Sequence, residues 1–576
     1  MTATDRIELA IQFIPNQIMM SLPARIRWLT VCVMTAISTL ALPIPVRAVD
    51  RIVLHYPPFK DMAISVRDLE IFAKTGRVAP DFATYVRSVK PAQLQQLRQL
   101  LQQRMKVSPT YITQVTNSPL TQTLLTRLGE VIQTENLTNG KKSLSLAMVR
   151  GATDQKEGLT TINFLHRFPG RQLQVNLTEG FRVYANLSEL LKQRDLMIVA
   201  LRQIAQADAT TTKIDFSNRL DLRKRGELSY QKRRFEWLDR SRQRVVPGDL
   251  YLPQTTSTSP IPVIVISHGV AEDRQTFAYL AEHLASYGFA VAVVEHIGGN
   301  TDRFKQYFSG LAPAPAATEL LQRPRDVSFV LDELQRLAVN DPILRQLDLQ
   351  QVGAIGHSLG GYTALALAGA TIDFERVKQD CNPNRSLNLS VLLQCRAQEL
   401  PPSRYALQDP RIKAIFAINP LNSTIFGQRG ISQVRVPVFL MGGSDDIITP
   451  AVPEQIYPFT WLQTSEKYLA ILEKGTHFST PAFPQQDSIF PVSESLIGPD
   501  PQLAQTYARA LSVAFFQTHL AQRREFQSYL NAAYATSISR VPLPLNLVRA
   551  SASAQIVQML QPENFRVAIP VKAGNR

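Results

Sequence analysis

The chain has 576 residues, of which 45% are hydrophobic and 19% charged, and it carries a formal net charge of +15. This balance excludes a disordered chain and a protein of many membrane spans, and the length predicts more than one domain. The positive charge does not indicate nucleic-acid binding, because no recognised nucleic-acid-binding module accompanies it. Weak contact with anionic phospholipid surfaces fits the charge better.

The N-terminal segment has the pattern of a signal peptide. Arg25 and Arg27 precede the apolar run "WLTVCVMTAISTLAL", and "PIPVRA" then ends in a small residue, Ala48. The run is shorter than the roughly 20 residues needed to cross a bilayer, although an uncleaved anchor is the alternative. We therefore predict a signal peptide over residues 1–48 and export to the periplasm or the medium.

Residues 49–207 show mostly helical periodicity. In "SVRDLEIFAKTG", Ser65 has the position of an N-cap, apolar residues follow at helical spacing, and Gly76 ends the run. Further amphipathic runs begin with a proline, as helices often do. We predict a mainly helical N-terminal domain over this segment, followed by a linker at residues 208–218.

From residue 219 onward the pattern changes. A densely charged stretch alternates around Gly226 and predicts a twisted hairpin with charged outer faces. Apolar runs such as "PVIVISHG", "AVAVVEH", "QVGAIGHS" and "VPVFLMGG" then alternate with helical runs, which is typical of a mostly parallel sheet covered by helices on both faces. We predict a doubly wound α/β domain over residues 219–531 and a C-terminal tail over residues 532–576.

Two irregular insertions interrupt this alternation, at residues 299–323 and 372–410. Each follows the carboxyl end of a strand or the helix after it, where doubly wound sheets bind ligands, so both are candidate lids. The second insertion carries Cys381 and Cys395, whereas Cys32 falls in the signal peptide. In an oxidising compartment we expect Cys381 and Cys395 to form a disulfide, with two separate buried thiols as the alternative.

The stretch "VGAIGHSLGGYTALALAG", residues 352–369, places Ser358 in a Gly-x-Ser-x-Gly pattern between an apolar strand and a helix. Glycines permit a sharp strand-to-helix turn that exposes the serine hydroxyl above the sheet. A tight turn without chemistry is the alternative. The strand and helix on either side favour Ser358 as a nucleophile.

A serine nucleophile needs a histidine base and a carboxylate that orients it, and in this topology first the acid and then the histidine follow the serine. His477, in "EKGTHFS" after the apolar run "YLAIL", is the predicted base, whereas His519 lies in a helical run. Asp446, in "GGSDDIITP", is the predicted acid, with its neighbour Asp445 as the alternative.

Backbone N–H groups must stabilise the oxyanion that forms during attack. The predicted donors are Leu359, which follows the nucleophile, and Val270, which follows "SHG" at the end of an early strand. His268 in this loop is interpreted as a structural hydrogen-bonding residue. The sequence contains no zinc-protease helix, no phosphate-binding loop and no cysteine pair spaced for a metal, so we predict no cofactor and no metal.

The motifs "VIVISHG", "ASYGFAVAVVEHIGGN", "RPRDVSFVLDEL" and "GHSLGGYTAL" together resemble the α/β-hydrolase superfamily, and within it the group of platelet-activating-factor acetylhydrolases and dienelactone hydrolases. The N-terminal part is similar to a domain of unknown function found ahead of such hydrolases in exported cyanobacterial proteins. In the acetylhydrolases of mammalian plasma the acid follows the strand equivalent to "IKAIFAINP", where this chain has Asn419. Asparagine carries no charge, so the acid is expected one strand later, at Asp446.

These features predict an exported serine hydrolase that cleaves small-molecule or lipid carboxylic esters through an acyl-enzyme. The resemblance implies short-acyl phospholipids as substrates and a role in lipid degradation. The same acyl-transfer machinery serves lipases, thioesterases and peptidases, and a catalytically silent hydrolase fold that only binds ligands is a further alternative.

Overall fold

The computed structural model describes residues 48–105, 107–212, 214–381, 388–482 and 494–561. The predicted signal peptide, apart from its last residue, lies outside the described residues. None of the helices in the described ranges is both long enough and apolar enough to cross a membrane.

The N-terminal part of the chain is mainly helical, as predicted, but it also contains short strands that the sequence patterns did not indicate. Its described helices are α1 (Val66–Thr75), α2 (Pro80–Val86), α3 (Pro91–Gln102), α4 (Pro109–Asn117), α5 (Pro119–Val131), α6 (Lys141–Thr153), α7 (Thr161–Arg167) and α8 (Leu177–Thr211). Its described strands are β1 (Arg51–His55), β2 (Met62–Ser65), β3 (Arg104–Met105), β4 (Ile132–Gln133), β5 (Leu159–Thr160) and β6 (Gln172–Asn176). Strands β2, β1, β6 and β4 form a sheet in that order, and β3 pairs with β5. Phe72, Phe82 and Phe168 belong to the hydrophobic core of this part.

Local signals set the ends of the helices here. The Ser65 hydroxyl accepts the N–H of Asp68 at 3.3 Å and caps α1, and Gly76 ends α1 in the left-handed conformation, with φ of +75°. Helix α8 runs on to Thr211, into the predicted linker at residues 208–218. It continues because its last turns pack against the core of the large sheet described next.

A nine-stranded sheet dominates the rest of the chain and confirms the predicted doubly wound α/β fold. Its strands are β7 (Tyr230–Asp239), β8 (Arg244–Pro253), β9 (Ile261–Ser267), β10 (Ala290–Val294), β11 (Leu347–His357), β12 (Ile412–Ile418), β13 (Val438–Gly443), β14 (Lys467–Leu472) and β15 (Leu545–Arg549). They are arranged in the order β15-β14-β13-β12-β11-β9-β10-β8-β7. The neighbours from β10 to β14 run parallel, whereas β7, β8 and β15 are antiparallel to their neighbours.

Helices cover both faces of this sheet. Those described are α9 (Ala278–Ser286), α10 (Thr301–Phe308), α11 (Glu319–Leu337), α12 (Leu359–Leu367), α13 (Phe374–Asp380), α14 (Leu389–Gln394), α15 (Gly427–Ile431), α16 (Tyr457–Trp461), α17 (Glu494–Ile497), α18 (Pro501–His519), α19 (Ala532–Ile538) and α20 (Ser553–Met559). Short 3₁₀ turns lie at Leu344–Gln346, Cys395–Glu399, Arg524–Tyr529 and Ala550–Ala552, and a π-helical turn lies at Val452–Ile456. In β9, Val263 and Val265 belong to the core on one face, and Ile264 and Ile266 to the core on the other. Burial on both faces explains why the strands are almost continuously apolar.

The hairpin in the charged stretch lies C-terminal to its predicted position. Strands β7 and β8 pair as far as Asp239 opposite Arg244, so residues 240–243 form the turn. Gly226 instead lies against the end of α9, where its N–H donates to the Ser286 hydroxyl at 2.8 Å. A β-carbon at this position would collide with the Ser286 carbonyl, so a close approach rather than a turn requires glycine there.

The predicted tail at residues 532–576 is joined to the sheet over much of its length. Strand β15 pairs with β14, with Leu545 opposite Leu472, and α19 packs against both β15 and α8. The residues after 561 lie outside the described part of the chain. The sheet therefore extends beyond the boundary predicted at residue 531.

The second insertion carries the predicted disulfide. Cys381 and Cys395 are bonded, with Cα atoms 5.4 Å apart, and the bond joins the end of α13 to the turn after α14. Buried Glu454 holds the start of α14, because its carboxylate accepts the Asn388 side-chain amide at 2.6 Å and the backbone N–H of Asn422 at 3.0 Å. The disulfide thus closes the insertion on itself, and Glu454 ties the insertion to the loop after β12.

Candidate active site

Ser358 lies in a strained turn between β11 and α12. Its backbone has φ of +54° and ψ of −117°, a conformation that a residue with a β-carbon adopts only where the surroundings enforce it. A β-carbon on Gly356 would collide with the carbonyl of Gly360, and one on Gly360 would collide with the carbonyl of Ser267. The glycines of the Gly-x-Ser-x-Gly pattern therefore allow the close approach that positions the serine.

The structure brings the three predicted side chains together. Ser358 Oγ lies 3.0 Å from His477 Nε2, and His477 Nδ1 lies 2.8 Å from Asp446 Oδ2. All three residues are buried. The Asp446 carboxylate also accepts the N–H of Ile448 at 2.8 Å and the N–H and hydroxyl of Thr449 at 2.7 and 2.6 Å. These bonds fix the carboxylate in the direction of the imidazole.

The neighbouring candidates for the acid point elsewhere. The Asp445 side chain is 46% exposed and pairs with Arg194 at 3.4 Å. Asn419, at the end of β12, donates its side-chain amide to the carbonyls of Thr476 at 3.3 Å and His477 at 3.5 Å. Asn419 therefore holds the backbone of the histidine loop, while the carboxylate comes from the loop after the next strand.

The two predicted oxyanion donors lie on adjacent backbone segments. Leu359 is the first residue of α12, and Val270 lies in the loop after β9. The approach of Gly360 to Ser267 brings this loop against the first turn of the helix. His268, predicted to be structural, accepts the N–H of His296 at its Nε2 atom at 3.0 Å and donates from Nδ1 to the carbonyl of Gly269 at 2.8 Å.

A buried arginine that sequence reasoning missed holds the backbone of this loop. The Arg323 side chain donates to the carbonyls of His268 at 2.5 Å, Gly269 at 3.1 Å and Gly299 at 3.4 Å. Burial lowers its pKa to about 10, so it stays positively charged at neutral pH. Arg323 is the first residue of the "RPRD" motif. That motif contributed to the family resemblance, but nothing in it indicated the contact with these carbonyls.

The "RPRD" and "VVEH" motifs meet in the same buried cluster. Asp326 Oδ2 lies 3.0 Å from His296 Nδ1, and His296 Nε2 lies 2.8 Å from the Ser267 hydroxyl. Asp326 also accepts from Arg242 and Arg244, each at 2.8 Å. Burial, aided by the nearby arginines, lowers the pKa of His296 well below its ordinary value, so this histidine is neutral and structural.

A second histidine–carboxylate pair, also missed from the sequence, lies beside the nucleophile. His357 Nδ1 is 2.7 Å from Glu272 Oε1, which is the distance of an ion pair although not the direction of a hydrogen bond. The other Glu272 oxygen accepts the N–H of Gly269 at 2.6 Å, and His357 Nε2 donates to the carbonyl of His477 at 3.1 Å. This pair therefore connects the nucleophile turn, the oxyanion loop and the histidine loop.

A cavity of about 680 Å³ lies beside the nucleophile turn. Both oxyanion candidates line it, together with aromatic and aliphatic side chains of three regions: Leu421 and Phe478 near the nucleophile, Phe304 and Tyr307 of α10, and Tyr111, Val115 and Leu120 of the N-terminal helices α4 and α5. Within the described residues, no cluster of histidine, cysteine or carboxylate side chains could hold a metal ion. Because the lining of the cavity is mostly apolar, the cavity can hold an apolar group of a substrate beside the turn that carries Ser358.

Comparisons with known proteins agree with the fold. Residues 262–379 match the family model of the α/β-hydrolase fold, and residues 48–176 match a model described as an α/β-hydrolase of unknown function (DUF1400). The platelet-activating factor acetylhydrolase of Cavia porcellus is 28% identical over 134 residues, which are 18% of this chain and 31% of that protein. Chlorophyllase-1 of Citrus unshiu is 28% identical over 136 residues, which are 23% and 37%. The chain thus spans about a third of the length of these relatives.

The sheet, the turn that carries Ser358 and the matches to both family models lead to one assignment: the chain belongs to the α/β-hydrolase superfamily. The match over residues 48–176 also agrees with the predicted similarity of the N-terminal part to a domain of unknown function.

Proposed function

We propose that this protein is a serine hydrolase that cleaves carboxylic esters through an acyl-enzyme. The observation that carries the proposal is the continuous chain of contacts from Ser358 through His477 to Asp446. Three donors besides the imidazole hold Asp446, so the carboxylate is fixed before substrate arrives. A preformed arrangement of this kind lowers the barrier to attack because little reorganisation remains.

The proposed reaction proceeds in two halves. Ser358 Oγ attacks the ester carbonyl while His477 Nε2 takes the hydroxyl proton, and collapse of the tetrahedral intermediate passes that proton to the departing alcohol. A water molecule then attacks the acyl-enzyme, gives its proton to His477 and releases the carboxylic acid as the serine recovers its proton. Asp446 stays ionised throughout, keeps the correct ring tautomer and stabilises the imidazolium. The N–H groups of Val270 and Leu359 stabilise the oxyanion in both halves.

The apolar cavity favours esters of lipid type over peptides, because its aromatic and aliphatic side chains match a hydrocarbon group. The predicted export of the protein supports the same choice, since lipids are abundant at the envelope of a cell. Phospholipid esters, the class implied by the resemblance to acetylhydrolases, are one form of such a substrate. In this proposal, residues 219–531 with the strand that follows them form the catalytic domain, and the two insertions help to enclose the cavity.

Replacement of the nucleophile tests the proposal. In the chain beginning at Val49, Ser358→Ala should lower kcat/KM on p-nitrophenyl esters by several powers of ten, because the acyl-enzyme cannot form. The control is Ser217→Ala at an exposed position, which should retain full activity. Undiminished hydrolysis by the Ser358→Ala protein would exclude this mechanism.

Active-site labelling separates the alternatives. A fluorophosphonate should modify the wild-type protein at Ser358, located by mass spectrometry, and should leave the Ser358→Ala protein unmodified. Absence of labelling in the wild-type protein would favour a silent hydrolase fold. Labelling without turnover of oxygen esters would direct the search to thioesters or amides.

A further inference from the structure

One wall of the active-site cavity comes from the N-terminal part of the chain. Tyr111 and Val115 of α4 and Leu120 of α5 line the same cavity as Val270 and Leu359, although about 150 to 250 positions separate the two groups in the sequence. We propose that helices α4 and α5 are the acyl-binding wall of the enzyme, and that its preferred substrates are esters with a long unbranched acyl chain. The inference rests on the proposed function and names its substrate class.

Specific contacts join this wall to the α/β part of the chain. The Tyr307 hydroxyl of α10 donates to the carbonyl of Gln114 at 2.6 Å, and the rings of Tyr111 and Phe308 lie 4.9 Å apart. Helix α5 also packs against α14 in the disulfide-bearing insertion. Helices α4 and α5 are therefore packed in place over the cavity, and a substrate meets them as part of a formed site.

The chemistry of the cavity selects a hydrocarbon. A volume of about 680 Å³ far exceeds the space that an acetyl group fills and lies in the range of pockets that bury most of a medium-sized ligand. Two cations at the cavity are paired within the chain: Arg396 with Glu399 at 2.8 Å, and Lys305 with Asp302 at 3.9 Å. Apolar surface that loses its water to a ligand is then the main source of affinity.

The position of the oxyanion candidates identifies which side of the ester enters the cavity. Val270 and Leu359 both line it, so a carbonyl group whose oxygen they hold lies at the cavity. The leaving alcohol must lie on the side of His477, which gives it a proton and is not among the residues that line the cavity. The acyl chain is then the substituent that extends into the cavity, toward Val115 and Leu120.

Chain-length profiles test this assignment. Wild-type protein should turn over p-nitrophenyl dodecanoate with a higher kcat/KM than the acetate. Leu120→Trp and Val115→Trp, which fill the cavity, should each lower the dodecanoate-to-acetate ratio by roughly tenfold or more, since each methylene kept out of apolar surroundings forfeits a factor of about four. The matched control, Leu100→Trp, changes a leucine of α3 that is 56% exposed and should keep the wild-type profile.

Turnover of p-nitrophenyl acetate distinguishes a failure of this inference from a failure of the proposed function. Serine-dependent turnover of acetate in every variant, with an unchanged chain-length profile in both tryptophan variants, would overturn the acyl-wall assignment and leave the esterase intact. A wild-type preference for acetate over dodecanoate would also overturn it. Thermal unfolding of each variant identifies any that fails to fold, and the second tryptophan variant then decides.

Ligand binding to a protein without the nucleophile tests the acyl-binding wall independently of catalysis. The Ser358→Ala protein should bind a fluorescent long-chain fatty acid, and adding Leu120→Trp should weaken that binding roughly tenfold, whereas adding Leu100→Trp should not. The acyl-wall inference requires this difference in binding whether or not the wild-type protein hydrolyses esters. If it hydrolyses none, the proposed function fails and the binding result still tests the wall. Equal binding by all three proteins would overturn the inference.

Discussion

Glu272 and His357 form a buried carboxylate–imidazole pair beside the proposed nucleophile. Burial alone would lower the pKa of His357, but the negative charge of Glu272 outweighs burial and raises it. Burial alone would raise the pKa of Glu272, but the positive charge of His357 and the N–H of Gly269 outweigh burial and lower it. Each group therefore favours the charged form of the other, and the pair contacts the three loops that build the site.

Removing the Glu272 carboxylate should destabilise the protein by an amount that depends on pH. A folded-state pKa of His357 above the unfolded value of about 6.5 gives stability that is complete below that value and is lost as the pH rises through the raised pKa. Glu272→Gln should therefore lower the free energy of unfolding by about 3 to 5 kcal/mol near pH 6, as when a buried pair loses one partner, and by less near pH 9. Urea unfolding of both proteins at the two pH values measures the difference.

Glu236→Gln is the matched control, because Glu236 lies on the exposed face of β7. Its effect on unfolding should be small and equal at both pH values. A Glu272→Gln effect that stays constant or grows between pH 6 and pH 9 would contradict a pKa of His357 that Glu272 holds above its ordinary value.

Local sequence patterns identified some residues of the candidate site and missed others. Ser358 is marked by glycines within two positions, and His477 and Asp446 follow apolar strands in a fixed order, so local patterns sufficed to select the side chains that the structure brings together. Nothing in "SHGVAEDR" distinguishes Glu272, because its role depends on His357, 85 positions later. Arg323 likewise acts on backbone carbonyls, and carbonyls leave no trace in a sequence.

At the scale of elements, length decided what could be predicted. The apolar strands of the large sheet have five to eleven residues, long enough for their pattern to appear. Four of the six strands described in the N-terminal part have only two to four residues, too few to establish a period of two. The other two, "RIVLH" and "QLQVN", mix polar with apolar side chains instead of forming a continuous apolar run, so the sheet was missed. The hairpin was misplaced because its charged strands alternate on both sides of Gly226, and only the pairing of Asp239 with Arg244 fixes the turn.

The disulfide-bearing insertion gives an element-scale prediction. Leu393 and Arg396 flank Cys395 and line the cavity, so the bond between Cys381 and Cys395 braces part of its wall. Replacing both cysteines by serine should lower the free energy of unfolding by about 3 kcal/mol from loop entropy and should also change the acyl-chain preference. Urea unfolding and the ester series measure the two effects. Reduced wild-type protein should behave in the same way, and an unchanged preference in both would exclude the insertion from the acyl site.

At the scale of the whole molecule, the N-terminal part and the large sheet share a core. Met197, Leu201 and Ile204 of α8 are buried in the same hydrophobic cluster as the strands of the sheet. A bidentate pair between Arg202 and Glu473, at 2.7 and 2.6 Å, lies beside this contact. Ion pairs that are partly exposed add little stability, so the apolar contact is the main link. We expect the two parts to unfold together.

Leu201→Ala tests this coupling, because it lies in the N-terminal part while the tryptophans after residue 48, Trp237 and Trp461, both lie in the α/β part. The cavity left in the shared core should lower the free energy of unfolding by about 2 to 5 kcal/mol. Tryptophan fluorescence and far-ultraviolet circular dichroism should report one common unfolding transition, shifted to a lower urea concentration.

Leu196→Ala is the control, because Leu196 lies on the same helix and is 40% exposed, and it should change stability by no more than about 0.5 kcal/mol. If Leu201→Ala instead leaves the tryptophan transition in place and splits off an earlier one, the N-terminal part unfolds on its own. The acyl-binding wall would then be able to detach from a folded catalytic sheet.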